Sequence, residues 1–544
     1  MFDAQTLFSG IVLAGFALRL AMLGRFSFHP DEAIYSFWAL YGQHVDPLFL
    51  QTWPDKPPIH LWLLGWIFDL FGTTPVIARL PNIFFSTLSI AVVAALARHW
   101  WGVRAGLVAA LLLALNPFSI SFAPTAFTDP LMVLTGLLAV YAALCRRYLW
   151  AGVWLGVTIM TKQQGLLFAP LVLAFAFQTR FDVRRLVRNA MRLLAGLLLI
   201  VAPILYWDSL RWAVAPSPWD LGARNAAGFA LSAPDVWLPR LLAWADLSRY
   251  LLGNVWFWAL ALGALLVMEI MTPHDRRGLR RRPVAILAVW AAAFLALHVL
   301  STVQIWDRYL LPLAPVVALL GAFGAEYALV GRKAAASIPQ IWARRHPSPL
   351  RATFILSFWL LLLTEPAVQA AQGQLPIGGD RGAYTGIEQV AAWLETHADA
   401  LPVVYHRTVG WHFRFHLFVP IQDGHIDLRW VPSTVHLADN AAKTPHRPRY
   451  VVEADWSPER NLTVQLAMRG LAVHELLRAG RFTLYEIVER TASPAAWRVC
   501  RMPDTFPYAL TWRVHDAAAQ SSPRTFRGAA SFPEGYDFFP AESH

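Results

Sequence analysis

Four short motifs place ionisable side chains in or beside long apolar segments of the sequence. They are Phe28-His-Pro-Asp-Glu-Ala-Ile-Tyr35, Asp55-Lys-Pro-Pro-Ile-His-Leu-Trp62, Thr128-Asp-Pro130 and Thr161-Lys-Gln-Gln-Gly165. A bilayer makes such groups costly, and ionisable groups at its edge often serve a function. Carboxylates can act as general bases and lysines can bind phosphate. The motifs together therefore indicate a site for a phosphate-bearing substrate.

The first motif contains two adjacent acids. Pro30 suits the first position of a helix, which puts Asp31 and Glu32 in the first turn. Apolar residues recur at helical spacing as far as Tyr41, so we expect a short helix lying along the membrane surface. Either carboxylate could act as a general base there. The alternative is that both acids only complement the helix dipole.

The second motif holds a lysine before two prolines. Lys56 precedes Pro57 and is therefore held in an extended conformation beside Asp55. A second helix should begin at Pro57 and Pro58 and run to about Phe71. A rigid, extended lysine suits a phosphate clamp. The alternative is a lysine whose stem stays buried while its ammonium reaches water.

The third and fourth motifs each contain one charge. Asp129 precedes a proline at the start of an apolar segment, so it is either an N-cap or a functional carboxylate. Lys162 ends an apolar run that begins at Trp150 and crosses only ~20 Å of a ~30 Å hydrocarbon core. Lys162 should therefore be recessed below the outer surface. It needs an anionic partner there, either a carboxylate or a ligand phosphate.

Two weaker signals add cations to the same side of the membrane. Arg308 occurs in Asp307-Arg-Tyr309 at the start of an apolar segment, and Arg79 precedes Pro81 at the start of another. With the four motifs they predict a cavity that opens outward and is surrounded by carboxylates and cations.

The composition indicates which elements position these motifs. The 544 residues are 56% hydrophobic and 15% charged, with a mean hydropathy of +0.42, whereas soluble domains carry about 25% charged residues. The sequence predicts about eleven membrane spans. They lie at about 7–24, 76–97, 105–121, 130–145, 150–163, 166–179, 191–207, 250–271, 284–301, 309–330 and 352–369.

The basic residues predict the orientation of the spans. Arginine and lysine cluster in alternate connections, as at 180–192, 276–282 and 332–351, and such loops face the cytoplasm. The net charge of +11 is therefore a topology signal, consistent with contacts to membrane lipids, and we expect no nucleic-acid partner. The four motifs and the region after residue 369 then lie outside.

The C-terminal region, 370–490, has the composition of a soluble α/β domain. A capping box at Thr385-Gly-Ile-Glu388 predicts an amphipathic helix, and β-like runs follow at about 403–406, 450–452 and 482–487. If Trp411–Leu417 is a strand, His412, Arg414 and His416 share one face, which is either solvated or a metal site. The tail, 491–544, is expected to be partly disordered. Cys145 and Cys500 should lie on opposite sides of the bilayer, so no disulfide is expected.

The motifs resemble those of the GT-C superfamily of membrane glycosyltransferases. The similar branches are the dolichyl-phosphate-mannose–protein mannosyltransferases and the lipid A aminoarabinose transferases. The resemblance rests on the order and spacing of the motifs over about 300 residues. It is carried by Asp31-Glu32, Lys56-Pro-Pro with Trp62, Arg79-Leu-Pro81, Thr128-Asp129-Pro130, Thr161-Lys162 through Gly165, and Arg308-Tyr309. One departure is Lys-Gln-Gln-Gly where many relatives have Lys-Gly.

The resemblance implies a transmembrane catalytic domain at 1–369, with amphipathic helices at 25–75, followed by an extracytoplasmic α/β domain. It makes Asp31 the base, with Glu32 and Asp129 as further catalytic candidates. Lys56, Lys162, Arg308 and Arg79 would bind the donor phosphate. Asp55, Tyr35, Trp62 and Tyr309 would line the substrate cavity. A divalent cation could assist the leaving group, although the sequence contains no clear metal-ligand set.

The implied reaction is an inverting transfer of a sugar from a polyprenyl-phosphate donor to a hydroxyl of a lipid, glycan or protein. The expected location is a cell membrane, as a multi-pass protein of the bacterial inner membrane. A ligase or polymerase of lipid-linked glycans is a related option. The main alternative is a secondary transporter of an anionic substrate, which would show inverted repeats and charges at the midplane. A sensor with an outer domain is a third reading, but it would not explain the loop cations.

Overall fold

The computed structural model describes residues 3–177, 182–226, 228, 230–251, 282–330 and 363–490. Helices dominate as far as residue 330. They are α1 (Ala4–Leu20), α2 (Pro30–His44), α3 (Ile59–Phe71), α4 (Pro75–Trp101), α5 (Val103–Ala114), α6 (Pro117–Phe122), α7 (Asp129–Leu144), α8 (Tyr148–Thr161), α9 (Ala169–Ala176), α10 (Val183–Arg211), α11 (Pro218–Asn225), α12 (Trp237–Ser248), α13 (Arg282–Leu300) and α14 (Leu313–Val330).

Three of the described helices are long and apolar enough to cross a membrane by themselves: α4, α10 and α13. Shorter apolar helices correspond to most of the other predicted spans, including those at 130–145 and 150–163. The predicted span at 250–271 lies almost wholly outside the described residues, and that at 352–369 lies largely outside them. The predicted number of spans therefore stays a prediction.

Arg19 is a charged residue within a predicted span, and the helices around it satisfy every nitrogen of its guanidinium. It is fully buried and donates hydrogen bonds to Ser86 and Ser119 and to the carbonyls of Gly15, Leu113 and Ala114. Because an unsatisfied guanidinium would be very costly in an apolar layer, this arrangement fixes α1 against α4, α5 and α6. It is a structural arginine.

Helices and strands alternate in the C-terminal region. The helices are α15 (Ile387–Thr396), α16 (Gly410–His416), α17 (Phe418–Gln422), α18 (Thr434–Ala442) and α19 (Leu462–Ala467), and the strands are β1 (Val403–His406), β2 (Asp427–Trp430), β3 (Arg449–Ala454), β4 (Leu471–Ala479) and β5 (Phe482–Glu489). The five strands form one sheet in the order β2-β1-β3-β5-β4. The pairs of β1 with β2 and β3 are parallel, and β5 is antiparallel to β3 and β4.

The sheet confirms the three predicted strands and adds β2 and β4, which the sequence patterns did not indicate. Two local predictions were wrong. Residues Trp411–Leu417 are not a strand, because Gly410–His416 form helix α16, with Phe413 and Phe415 buried. The capping box is absent, since Gly386 is the N-cap of α15 and no side chain caps the helix. The apolar face expected of this amphipathic helix, formed by Ile387, Val390, Ala391 and Leu394, is buried.

Candidate active site

Asp31 lies in the first turn of α2, as predicted, and is about one-third exposed (31%). His29 caps the helix by accepting a hydrogen bond at Nδ1 from the backbone N–H of Asp31. The Asp31 carboxylate accepts a hydrogen bond from Nη1 of Arg308. Burial alone would raise the pKa of Asp31, but the charges of Arg308 and Lys56 outweigh it and hold that pKa well below its usual value. Asp31 is therefore an ionised and accessible carboxylate.

Lys56 lies beside Asp55, in the loop before α3. Its Nζ is 2.5 Å from the Asp55 carboxylate and 5.8 Å from the centre of the Tyr35 ring, one turn after Asp31. Asp55 also accepts a hydrogen bond from Nδ2 of Asn225. Burial would lower the pKa of Lys56, but the charge of Asp55 prevails and raises it. Lys56 is therefore a protonated cation close to Asp31.

Lys162 ends α8 and has the anionic partner that the short span requires. Its Nζ lies 2.6 Å from Oδ1 of Asp129, and both side chains are at least 95% buried. Thr128, and not Asp129, occupies the N-cap position of α7, and no side chain caps that helix. The capping alternative for Asp129 was therefore wrong. The partner of Lys162 is a carboxylate of the neighbouring helix.

Arg308 joins the separate ion pairs into one cluster. It lies in a 3-10 turn, Asp307–Leu310, and its guanidinium is buried against the ring of Phe127. The ring of Tyr309 is 6.0 Å from this guanidinium and 4.6 Å from Nζ of Lys162. Burial would lower the pKa of Arg308, but the nearby Asp31 carboxylate raises it well above its usual value. Three cations and three carboxylates thus meet around Tyr35 and Tyr309, and we call this group the charged cluster.

Glu32 and Arg79 pair with each other rather than with the charged cluster. The Glu32 carboxylate accepts hydrogen bonds from Nε and Nη2 of Arg79 and from the backbone N–H groups of His29 and Ala126. Arg79 also donates to the carbonyls of Phe26 and Ser27. Because the charged groups of both side chains are already hydrogen-bonded, this geometry favours a structural role for Glu32 and Arg79 over the predicted catalytic and phosphate-binding roles.

Trp62 is the remaining predicted site residue. The structure places its ring edge-on to the ring of Trp207 in α10, at 5.5 Å, and does not bring it into the ion-pair network.

The C-terminal region contacts the segment that carries Asp31, which sequence reasoning missed. Three consecutive residues are contacted: Ser27 donates to Glu388, the carbonyl of Phe28 is 2.9 Å from Nε2 of His412, and Nε2 of His29 is 3.5 Å from Asp380. These partners are more than 350 residues apart in sequence. No local pattern could have indicated such contacts.

An open apolar groove of about 350 Å³ lies between the C-terminal half of α8 and α10. Its lining is formed by Ile159, Met160, Leu166, Leu197, Val201, Leu205 and Trp219. Its apolar lining could accept a hydrocarbon chain.

The carboxylates do not fit a divalent cation. Among the described residues there is no group of three or more histidine, cysteine, aspartate or glutamate side chains that could hold a metal ion. Asp31, Asp55 and Asp129 are each paired with a cation instead, and a metal would have to displace that cation.

Comparison with known proteins identifies the fold. Residues 55–207 match the family model described as dolichyl-phosphate-mannose-protein mannosyltransferase. No curated protein sequence matches the chain. The structure is similar to that of ArnT from Cupriavidus metallidurans bound to undecaprenyl phosphate, with a TM-score of 0.57 and 17% identity, covering 90% of this chain and 98% of that one.

Two archaeal structures have the same fold. The oligosaccharyltransferase of Archaeoglobus fulgidus in its apo form has a TM-score of 0.55 and 13% identity, covering 87% of this chain and 73% of that one. AglB from the same organism, in complex with an inhibitory peptide and a dolichol-phosphate, has a TM-score of 0.53 and 14% identity, covering 91% and 75%. The chain therefore has the fold of the GT-C membrane glycosyltransferases and resembles their mannosyltransferase and ArnT branches, as its motifs predicted. This fold and the apolar helices support a membrane location.

Proposed function

We propose that the chain is an inverting glycosyltransferase that moves a sugar from a polyprenyl-phosphate donor to a hydroxyl acceptor on the outer face of the membrane. The single observation that carries the proposal is the charged cluster. In it Arg308 pairs with the ionised carboxylate of Asp31, and the ion pairs of Lys56 with Asp55 and of Lys162 with Asp129 lie around the rings of Tyr35 and Tyr309. A phosphate leaving group needs such cations, and a hydroxyl nucleophile needs such a base.

The donor phosphate would bind the cations of the cluster, and its prenyl chain would lie in the apolar groove between α8 and α10. ArnT was solved with undecaprenyl phosphate and AglB with a dolichol-phosphate, which supports the same class of lipid here. The acceptor would approach from the exposed side of Asp31. Whether the acceptor is a lipid, a glycan or a protein would then depend on the surface around the exposed side of Asp31.

In the reaction, the acceptor oxygen forms a bond to the anomeric carbon as the bond from that carbon to the phosphate oxygen breaks. The acceptor proton passes to Asp31, and the electron pair leaves with the polyprenyl phosphate. Lys56, Lys162 and Arg308 stabilise the negative charge that grows on the departing phosphate. Attack and departure on opposite faces of one carbon invert its configuration.

Donor binding would also activate the base. Without donor, Arg308 holds the pKa of Asp31 low, which makes this carboxylate a weak base. A phosphate that takes hydrogen bonds from Arg308 competes with Asp31 for that cation. The pKa of Asp31 should then rise, so that it accepts a proton most readily when the donor is in place.

The domain arrangement follows from this proposal. Residues 1–369 would form the membrane-embedded catalytic domain, and residues 370–490 would lie outside the cell membrane. There the C-terminal region would hold Ser27, Phe28 and His29 in place. We expect this location to be the inner membrane of a bacterium.

The test is donor consumption by the purified chain. Wild-type protein is incubated with a panel of polyprenyl-phosphate sugars and a mixture of lipid, glycan and peptide acceptors, and the anomeric configuration of any product is determined by NMR. The proposal requires one donor to be consumed and the product to have the opposite configuration. Consumption of none of these donors would contradict it, and retained configuration would contradict the inverting mechanism.

A further inference from the structure

Two consecutive glutamines, Gln163 and Gln164, follow Lys162. Gln163 and Gln164 begin a 3-10 turn, Gln163–Phe168. Their amide groups donate to backbone carbonyls of two different loops. Each of these loops carries another cation of the charged cluster.

Gln163 connects Lys162 to the Lys56 segment. Its Nε2 donates to the carbonyl of Asp55 at 2.7 Å and to the carbonyl of Pro218 at 2.9 Å. Asp55 immediately precedes Lys56 and is its ion-pair partner. The Gln163 amide therefore helps to set the position of Lys56 relative to Lys162, together with the hydrogen bond from Asn225 to the Asp55 carboxylate.

Gly222 of α11 leaves the space that this amide occupies. A Cβ atom at residue 222 would lie 2.3 Å from Nε2 of Gln163 and 2.8 Å from the carbonyl oxygen of Asp55. Both distances are too short for a contact, and the flexible end of the glutamine would have to move. Gly222→Ala should therefore disturb the hydrogen bond between the Gln163 amide and the Asp55 carbonyl without altering Gln163 itself.

Gln164 makes the corresponding connection to Arg308. Its Nε2 donates to the carbonyl of Tyr309 at 2.9 Å and lies 3.3 Å from Nε2 of His298. Nδ1 of His298 is 2.8 Å from the carbonyl of Phe294. That contact requires the imidazole proton on Nδ1, so that Nε2 accepts from Gln164. Because Tyr309 follows Arg308, the second amide fixes the loop of the third cation.

We propose that Gln163 and Gln164 are positioning residues that set the spacing of Lys56, Lys162 and Arg308 to fit one phosphate group of the lipid donor. The inference rests on the proposed function. Charge-assisted hydrogen bonds to phosphate need distances of about 2.7–2.9 Å. A shift of about 1 Å in either loop would therefore weaken the contact of its cation with the phosphate.

The experiment measures the Kd of undecaprenyl phosphate for the full chain in detergent. Gln163→Met, Gln164→Met and Gly222→Ala should each raise the Kd about tenfold, the usual cost of losing well-placed hydrogen bonds. The matched control is Gln43→Met, since the amide of Gln43 donates to Asp69 at an exposed position. This control should leave the Kd unchanged.

A double-mutant cycle separates positioning from a general effect on folding. If Gln163 acts through Lys56, Gln163→Met should raise the Kd less than about twofold in a Lys56→Met background. The full tenfold effect in that background would overturn the inference. So would Gln163→Met and Gly222→Ala variants that bind as tightly as wild type. Wild-type protein that binds no undecaprenyl phosphate would instead contradict the proposed function itself.

Discussion

The Lys162 ammonium lies 2.6 Å from the Asp129 carboxylate, and both side chains are almost completely buried. Removal of one partner from such a pair leaves an uncompensated charge, which costs about 3–5 kcal/mol. Lys162→Met should therefore lower the free energy of unfolding by about that amount, measured by denaturant titration in detergent.

The double substitution Lys162→Met with Asp129→Leu should recover most of that loss, because no lone charge remains. If the losses in free energy of unfolding caused by Lys162→Met and Asp129→Leu simply added in the double variant, the result would contradict the pairing. Lys443→Met, at an exposed lysine of the C-terminal region, is the control and should change the free energy of unfolding by less than about 0.5 kcal/mol.

Asp31 and Glu32 are adjacent but have different partners, so replacing each with its amide should have different effects. Glu32→Gln removes the charge that balances Arg79 in a buried network, so it should lower the free energy of unfolding by about 3 kcal/mol. The transfer rate per folded molecule should fall less than tenfold. Asp31→Asn should lower the free energy of unfolding by less than Glu32→Gln does, because Asp31 is about one-third exposed whereas Glu32 is buried. A larger loss of rate in Glu32→Gln than in Asp31→Asn would reverse the two assignments.

The pH dependence of the transfer rate should change when the positive charge of Arg308 is removed. A base works only when deprotonated, so the rate falls as the pH drops through its pKa. Arg308 holds the pKa of Asp31 low, whereas burial alone would raise it. In Arg308→Met the acidic limb of kcat/KM should therefore move to higher pH. A limb at the same pH in Arg308→Met and wild type would show that Asp31 is not the titrating base.

The bond from Ser27 Oγ to Glu388, at 2.7 Å, links the loop before Asp31 to the C-terminal region. Ser27→Ala and Glu388→Gln should each lower kcat about three- to tenfold, because Asp31 would be held less firmly in position. The Kd for undecaprenyl phosphate should stay unchanged. The double variant should be no worse than either single one. Glu459→Gln in the same region, which removes the ion pair with Arg407, is the matched control. A loss of kcat as large in this control as in Ser27→Ala would contradict the link.

The sequence predicted much of the charged cluster because membrane topology puts alternate loops on the same side. Lys162 is the clearest case, since the short apolar run before it required a buried anionic partner. The identity of that partner depended on which helix packs against α8. Sequence spacing alone left Asp129 as either a cap or a functional acid.

The remaining details depended on tertiary packing. Trp411–Leu417 alternates polar and apolar residues like a strand, yet it forms a helix whose histidine and phenylalanine side chains are buried together. The roles of Glu32 and Arg79 could not be separated from those of Asp31 and Arg308 by residue type. They differ only in partners, and the partners of Glu32 include a backbone amide 94 residues away.

The most direct test of the account is a single-turnover measurement of sugar transfer by Asp31→Asn with the donor already bound. Loss of a general base typically costs about 10²–10⁴ in rate. The account predicts a loss of that size, with a Kd for the polyprenyl-phosphate donor within about threefold of wild type. Transfer by folded Asp31→Asn at the wild-type rate would contradict the assignment of Asp31 as the base.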